Sequence, residues 1–71
     1  MPLTPRRIGI VLRRVRRAKG LSQYALAKAA KPPVSREYIR KLEAGESDPT
    51  IGMLQRLAKA LEVPITDFLE E

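Results

Sequence analysis

Every apolar run in this sequence has helical spacing, and no stretch alternates apolar and polar residues as a half-buried strand does. A sheet is therefore not expected, and short helices must bury their apolar stripes against one another. Start and stop signals divide the chain into about five of them. Thr4-Pro5 opens the first with a capping hydroxyl and a proline suited to the first helical position; Ile8, Val11, Leu12 and Val15 form its stripe, and Gly20 closes it. Ser22 caps the second helix, which runs to about Ala30, and Ser35 caps the third, which ends near Ala44-Gly45. Thr50 caps the fourth, whose buried stripe is expected to be Ile51, Leu54, Leu57, Ala58 and Leu61. A last turn or two spans about Ile65 to Leu69; Pro64 stands where a capping residue would, so this segment is expected to be short or frayed. The pairs Leu21 and Leu26, Val34 and Ile39, and Val63 and Phe68 bracket three helix entries as hydrophobic staples.

The sequence predicts an all-α, compact bundle of about five short helices, forming one domain over residues 1–71, with residues 1–4 a loose N-terminal tail. A chain of this length buries only about 60% of its unfolded surface, so its core is small. Having no cysteine and no histidine, it can form neither disulfides nor Cys/His zinc sites, and Cys- or His-based catalysis is excluded. No nucleophile–base pair, phosphate-binding glycine loop or metal-ligand cluster is visible, so no enzymatic activity, cofactor or metal is expected. No run approaches the roughly 20 apolar residues of a membrane span, and none resembles a signal peptide, so the expected compartment is the cytoplasm. The outer face of the first helix also lacks the large apolar residues that insert into a membrane surface.

Charge is unevenly spread. Residues 1–41 hold twelve Lys/Arg and one acid, Glu37, a balance of +11; residues 42–71 hold two Lys/Arg and seven acids, a balance of −5. Such polarity suits one face for a polyanion, nucleic acid first among them, although a charged solubilising surface reads the same way.

Helices two and three are joined by "KPPV", a link short enough to make them neighbours packed at a steep angle. Ala27 is small where they must cross, and Leu26, Ile39 and Leu42 can fill the shared core. This is a helix-turn-helix arrangement, in which the second helix projects its N-terminal residues outward. That helix, in "VSREYIRKLEAGESDPT", carries Arg36, Glu37, Tyr38, Arg40 and Lys41 around little apolar surface.

At this point a resemblance becomes specific. "KGLSQ", "LA" at Leu26-Ala27, the Val34–Gly45 stretch "VSREYIRKLEAG", Pro49, and "LQRLAKALEV" from Leu54 resemble, in order and at near-standard spacing, the phage-repressor and Cro family of DNA-binding domains, also called XRE-like. The resemblance covers about residues 8–69 and implies a lambda-repressor-like fold. It implies a sequence-specific regulator of transcription on double-stranded DNA, with a recognition helix of about Ser35–Ala44 in the major groove. It also implies a homodimer on a palindromic operator, pairing through the end formed by helices four and five, where Ile65, Phe68 and Leu69, with Leu61 and Met53 nearby, are the apolar candidates, some of which must instead complete the core of so short a chain.

The resemblance places Ser35, Arg36, Glu37, Tyr38 and Lys41 at positions that meet DNA. Arg36 and Lys41 can donate to guanine O6 and N7, Glu37 can accept from cytosine N4, and Tyr38 can touch a thymine methyl or a phosphate. Ser35 and Arg40 are expected at the phosphate backbone. Gln23 matches a family position that holds a phosphate beside a helix N-terminus, and Lys19 and Ser47 lie in loops that can reach flanking phosphates, unless these three are ordinary solvated side chains. Arg16 and Glu43 match a largely buried ion pair of the family, which makes them structural. Arg6, Arg7, Arg13, Arg14 and Arg17 form either a solvated arc or a long-range electrostatic contribution to DNA affinity.

Three departures from the family pattern stand out. Lys31-Pro32-Pro33 replaces a glycine-containing turn, with about two extra residues, and is expected to stiffen the link in extended geometry and alter the docking angle. Ala25 stands where a capping-box glutamate would, and Pro64 replaces the last cap. A second functional reading is an antitoxin-type or other protein-interaction module, with a protein partner and auxiliary DNA binding.

Overall fold

The fold is that of a computed structural model describing residues 4–69. All regular structure among these residues is helical: α1 Pro5–Ala18, α2 Gln23–Ala29, α3 Arg36–Glu43, α4 Ile51–Leu61 and α5 Thr66–Leu69. Of the expected N-terminal tail, residues 1–3 lie outside the described residues, whereas Thr4 is the cap of α1.

Four helices start by the same local chemistry. The side-chain oxygens of Thr4, Ser22, Ser35 and Thr50 accept from the amides of Arg7, Ala25, Tyr38 and Met53 at 3.0–3.1 Å. Each satisfies an N–H that the helix itself leaves unpaired, a contribution of about 1 kcal/mol apiece. The fifth helix begins one residue later than expected, at Thr66, and its entry rests on tight bonds from Asp67 N–H to Pro64 O and from Phe68 N–H to Ile65 O.

The core is built from Leu12, Leu26, Ile39, Leu42, Leu54, Leu57, Leu61 and Phe68, none more than 2% exposed. α1 packs on α3 and α5, and α2 packs on α3 and α4. Two expected assignments are corrected here. Ile51 does not join the α4 stripe but is 57% exposed, because it is the first helical residue and lies beyond the reach of the neighbouring helices. Phe68, offered as a dimer-surface residue, is fully buried: with so little apolar material in the chain, the largest side chain of α5 completes the core. Leu61 is likewise core, at 1% exposure. Ile65 and Met53 are half-buried and pack against the core.

The α2–α3 link also differs from expectation. The Val34 amide donates back to Ala27 O at 3.0 Å, so the segment folds over the end of α2 instead of running extended; the Lys31–Pro32 peptide within it is cis. Arg56 of α4 donates to the Pro32 carbonyl from outside, so the two extra residues are held against the fourth helix.

At the far end of α4, Glu62 adopts a left-handed conformation (φ 59°, ψ 43°) while Val63 N–H bonds Ala58 O at 3.0 Å. This αL cap usually carries glycine, since a Cβ disfavours it. Glu62→Gly is expected to raise stability by about 0.5–1 kcal/mol, an increase of roughly 3–6 °C in Tm for a domain of this size. Thermal melting by circular dichroism checks it, and a lowered Tm would show that the Glu62 side chain contributes more than its backbone strain removes.

Candidate nucleic-acid interface

The outer side of α3 is a continuous polar arc. With 3.6 residues per turn, Ile39 and Leu42 face the core, and Arg36, Arg40, Glu37 and Lys41 fall on the opposite side, all exposed. Ser35 caps this helix with its hydroxyl, and that oxygen is engaged by Tyr38 N–H. Tyr38 sits between the arc and the buried stripe, half-buried and packed against the core.

The charges on the arc are organised. Arg40 Nε and Nη2 donate to the two carboxylate oxygens of Glu37, both at 2.9 Å, and Nη2 reaches Glu46 Oε1 at 3.4 Å. The hydrogen bond from Arg40 chiefly holds the Glu37 carboxyl below its ordinary pKa, with Arg36 and Lys41 adding to the effect; Arg40 is raised in turn, first by Glu37 and then by Glu46. Arg40, expected at the DNA backbone, lies beside Arg36, Glu37 and Lys41 with its Nε and Nη2 on two carboxylates. Glu46 was not anticipated. It returns to the helix because Gly45, at φ 75°, turns the chain back and lets Glu46 N–H bond Lys41 O at 2.9 Å.

Beneath the arc lies the base of the helix pair. Arg16, 8% exposed, donates from Nε to Glu43 Oε2 at 2.5 Å, from Nη2 to Glu43 Oε1 at 3.1 Å and from Nη1 to Leu21 O at 2.7 Å. Glu43 ends α3, where the helix dipole disfavours an anion, and this pairing compensates it. Gln23 joins the same group: its Nε2 donates to Glu43 Oε1 at 3.1 Å. Gln23 is thus not simply a solvated side chain: one N–H of its amide is engaged by the pair, and the other N–H lies outside that bond. Arg13, Arg17, Gln23 and Arg40 line a cleft above this network.

The other sequence-selected residues are dispersed. Lys19 is exposed at the C-cap of α1, and Ser47 is half-buried in the α3–α4 loop. Arg6, Arg13, Arg14 and Arg17 are exposed along α1, whereas Arg7 is half-buried. Ile10 lines a shallow cleft with Arg13, Arg14, Arg17 and Glu43 and is 54% exposed, so the outer face of α1, expected to lack large apolar residues, carries one. No helix among the described residues is long and apolar enough to cross a membrane.

One helical contact escaped the sequence reading altogether. Gly9 of α1 lies against the backbone at the end of α3, where an added Cβ would come to 2.9 Å from Glu43 O and closer still to Leu42 O. It lies two turns before Arg16 on the same face, so Gly9 meets the backbone of residues 42 and 43 while Arg16 meets the Glu43 side chain.

The family Helix-turn-helix matches residues 12–68 of the chain. No curated protein matches it. Among solved structures, it is similar to the clp gene regulator ClgR from C. glutamicum, with 32% identity, a TM-score of 0.87, and coverage of 97% of this chain and 87% of that one. It is similar to the restriction-modification controller protein C.AhdI from Aeromonas hydrophila, with 31% identity, a TM-score of 0.84, and coverage of 90% and 94% respectively. A transcriptional regulator from Vibrio cholerae shares 34% identity at a TM-score of 0.84, over 92% of this chain but 35% of that chain.

Proposed function

The chain belongs to the Helix-turn-helix family of XRE-like regulators, and from that premise we propose that it is a sequence-specific double-stranded DNA-binding regulator of transcription. The observation that carries this reading is the outer arc of α3, where Arg36, Glu37, Arg40 and Lys41 stand exposed on a helix seated by Ile39 and Leu42. An arc of this kind suits base edges in a major groove, since donors and an acceptor are presented side by side on a rigid element. The relatives named as gene regulator, controller protein and transcriptional regulator support the same reading.

In this reading residues 1–71 act as one domain in the cytoplasm, with Arg36, Glu37 and Lys41 reading bases and Ser35, Lys19 and Ser47 at the backbone. The exposed arginines of α1 add a long-range attraction. The protein pairs as a homodimer on DNA through the α4–α5 end, where Ile65 and Leu69 remain half-exposed, on half-sites about one helical turn apart.

Arg36→Ala and Arg14→Ala separate reading from attraction. Each removes one exposed positive charge, one from the α3 arc and one from α1. Arg36→Ala is expected to weaken the preferred site by about 1–3 kcal/mol and to relax base preference at one position per half-site. Arg14→Ala should weaken specific and non-specific binding alike, mainly at low salt. Titration of both against preferred and scrambled duplexes at two salt concentrations is the test. Equal ratios of specific to scrambled affinity in both variants would remove Arg36 from the base contacts. A wild type without preference in any selected pool would turn the reading to a protein-interaction module.

A further inference from the structure

Arg40 and Glu37 meet as a fork, with two parallel bonds of 2.9 Å. Such a pair fixes the plane of a carboxylate as well as its position. An ionised carboxylate offers about four acceptor sites; the fork occupies one on each oxygen, and the outward ones stay open. Glu46 holds the same guanidinium from beyond the helix end at 3.4 Å. The three side chains are 44%, 60% and 54% exposed for Arg40, Glu37 and Glu46. Pairs as solvated as these contribute little to stability, so their order on the arc calls for another explanation.

Arg40 holds the two carboxylates through Nε and Nη2, with Nη1 outside these bonds, and a backbone phosphate that drew the whole guanidinium toward itself would break the fork. That would leave Glu37 and Glu46 without their closest counter-charge while facing a polyanion, although Arg36 and Lys41 remain near Glu37. Keeping Arg40 in place avoids this repulsion and presents Glu37 as a rigid acceptor between Arg36 and Lys41.

Resting on the DNA-binding reading above, we infer that Arg40 acts as a positioning residue: through Nε and Nη2 it holds the Glu37 carboxylate for the N4 amino group of a cytosine in the major groove, and Glu46 holds Arg40.

Selection from random duplexes, followed by titration on the preferred site and on single-base changes of it, tests this with Glu37→Gln, Arg40→Gln, Arg40→Lys and Glu46→Gln. The wild type is expected to prefer cytosine at one position per half-site, and Glu37→Gln should lose that preference. Arg40→Gln should lower discrimination at the same position by about tenfold, with little change at other positions. Arg40→Lys should fail to restore it, because an ammonium is a point charge and cannot make the fork. Glu46→Gln should give a smaller loss at that position. Combining Glu37→Gln with Arg40→Gln should be no worse there than Glu37→Gln alone. Unchanged melting temperatures exclude unfolding as the cause, and Glu46→Gln carries the test if Arg40→Gln is unstable. If Arg40→Gln weakens all duplexes equally and makes the salt dependence shallower, Arg40 is a phosphate contact and the inference is overturned. Preserved cytosine preference in the Arg40 and Glu46 variants, or in Glu37→Gln, also overturns it while leaving the regulator reading intact. Absence of any wild-type preference overturns both.

Discussion

Gly9→Ala is expected to destabilise the folded chain by about 3 kcal/mol or more, even though it improves the intrinsic helix propensity of α1. In an isolated helix alanine is favoured over glycine by roughly 1 kcal/mol. In the folded protein the new methyl would meet the backbone oxygens of Leu42 and Glu43, neither of which can rotate away as a side-chain tip would. The helices must separate instead, and overpacking of this kind typically costs about 1–3 kcal/mol, more where the obstacle is backbone. Because α1 leans on α3 through this contact, the displacement also disturbs Leu12 and Leu42. The opposing effects provide the check. A peptide of residues 4–20 carrying Gly9→Ala should become more helical, while the full chain carrying it should melt well below the wild type. A full chain that melts at or above the wild-type temperature would show that α1 and α3 do not approach so closely.

Gly9 also marks where sequence reading stops. Caps, stripes and helix ends are local, and Thr4, Ser22, Ser35 and Thr50 start their helices through bonds spanning only three residues. A glycine inside a helix carries no local sign of its purpose; it registers only as a weak helix former until a second helix is placed against it. Phe68 and Ile51 failed for a related reason. A four-residue helix has no periodicity from which a buried face can be read, and a first helical residue can fit a stripe on a wheel while lying past the helices that would cover it. The outer arc of α3 was readable because it is the complement of Ile39 and Leu42 on a single helix. The connections of that arc were not. Glu46 reaches Arg40 only after the turn at Gly45, and Gln23 reaches Glu43 from another helix, so each bond depends on where a loop or a crossing places its partner.

The ion pair beneath the arc gives the second large effect, and it acts on the same crossing. Glu43→Ala is expected to destabilise the protein by about 3–5 kcal/mol, far more than Arg13→Ala or Arg17→Ala on the exposed side of α1. The substitution leaves Arg16 at 8% exposure with Nε and Nη2 stripped of their acceptor, and it leaves the Gln23 amide without its bond. Desolvation without a counter-charge, not the loss of attraction alone, makes the effect large. Two further variants separate these causes. Arg16→Met combined with Glu43→Leu removes both charges and keeps much of the volume, so it should be markedly more stable than Glu43→Ala. Its remaining deficit should be about 1–2 kcal/mol, because Leu21 O loses the donor at Arg16 Nη1 and the Gln23 amide loses its acceptor. If the double variant is as unstable as the single one, packing and not charge explains the loss. Combining Glu43→Ala with Gly9→Ala supplies the remaining constraint: both disturb the end of α3 that α1 rests on, so their losses in chemical denaturation should sum to less than the two measured separately. Strict additivity would mean that the close backbone approach and the ion pair hold the crossing independently.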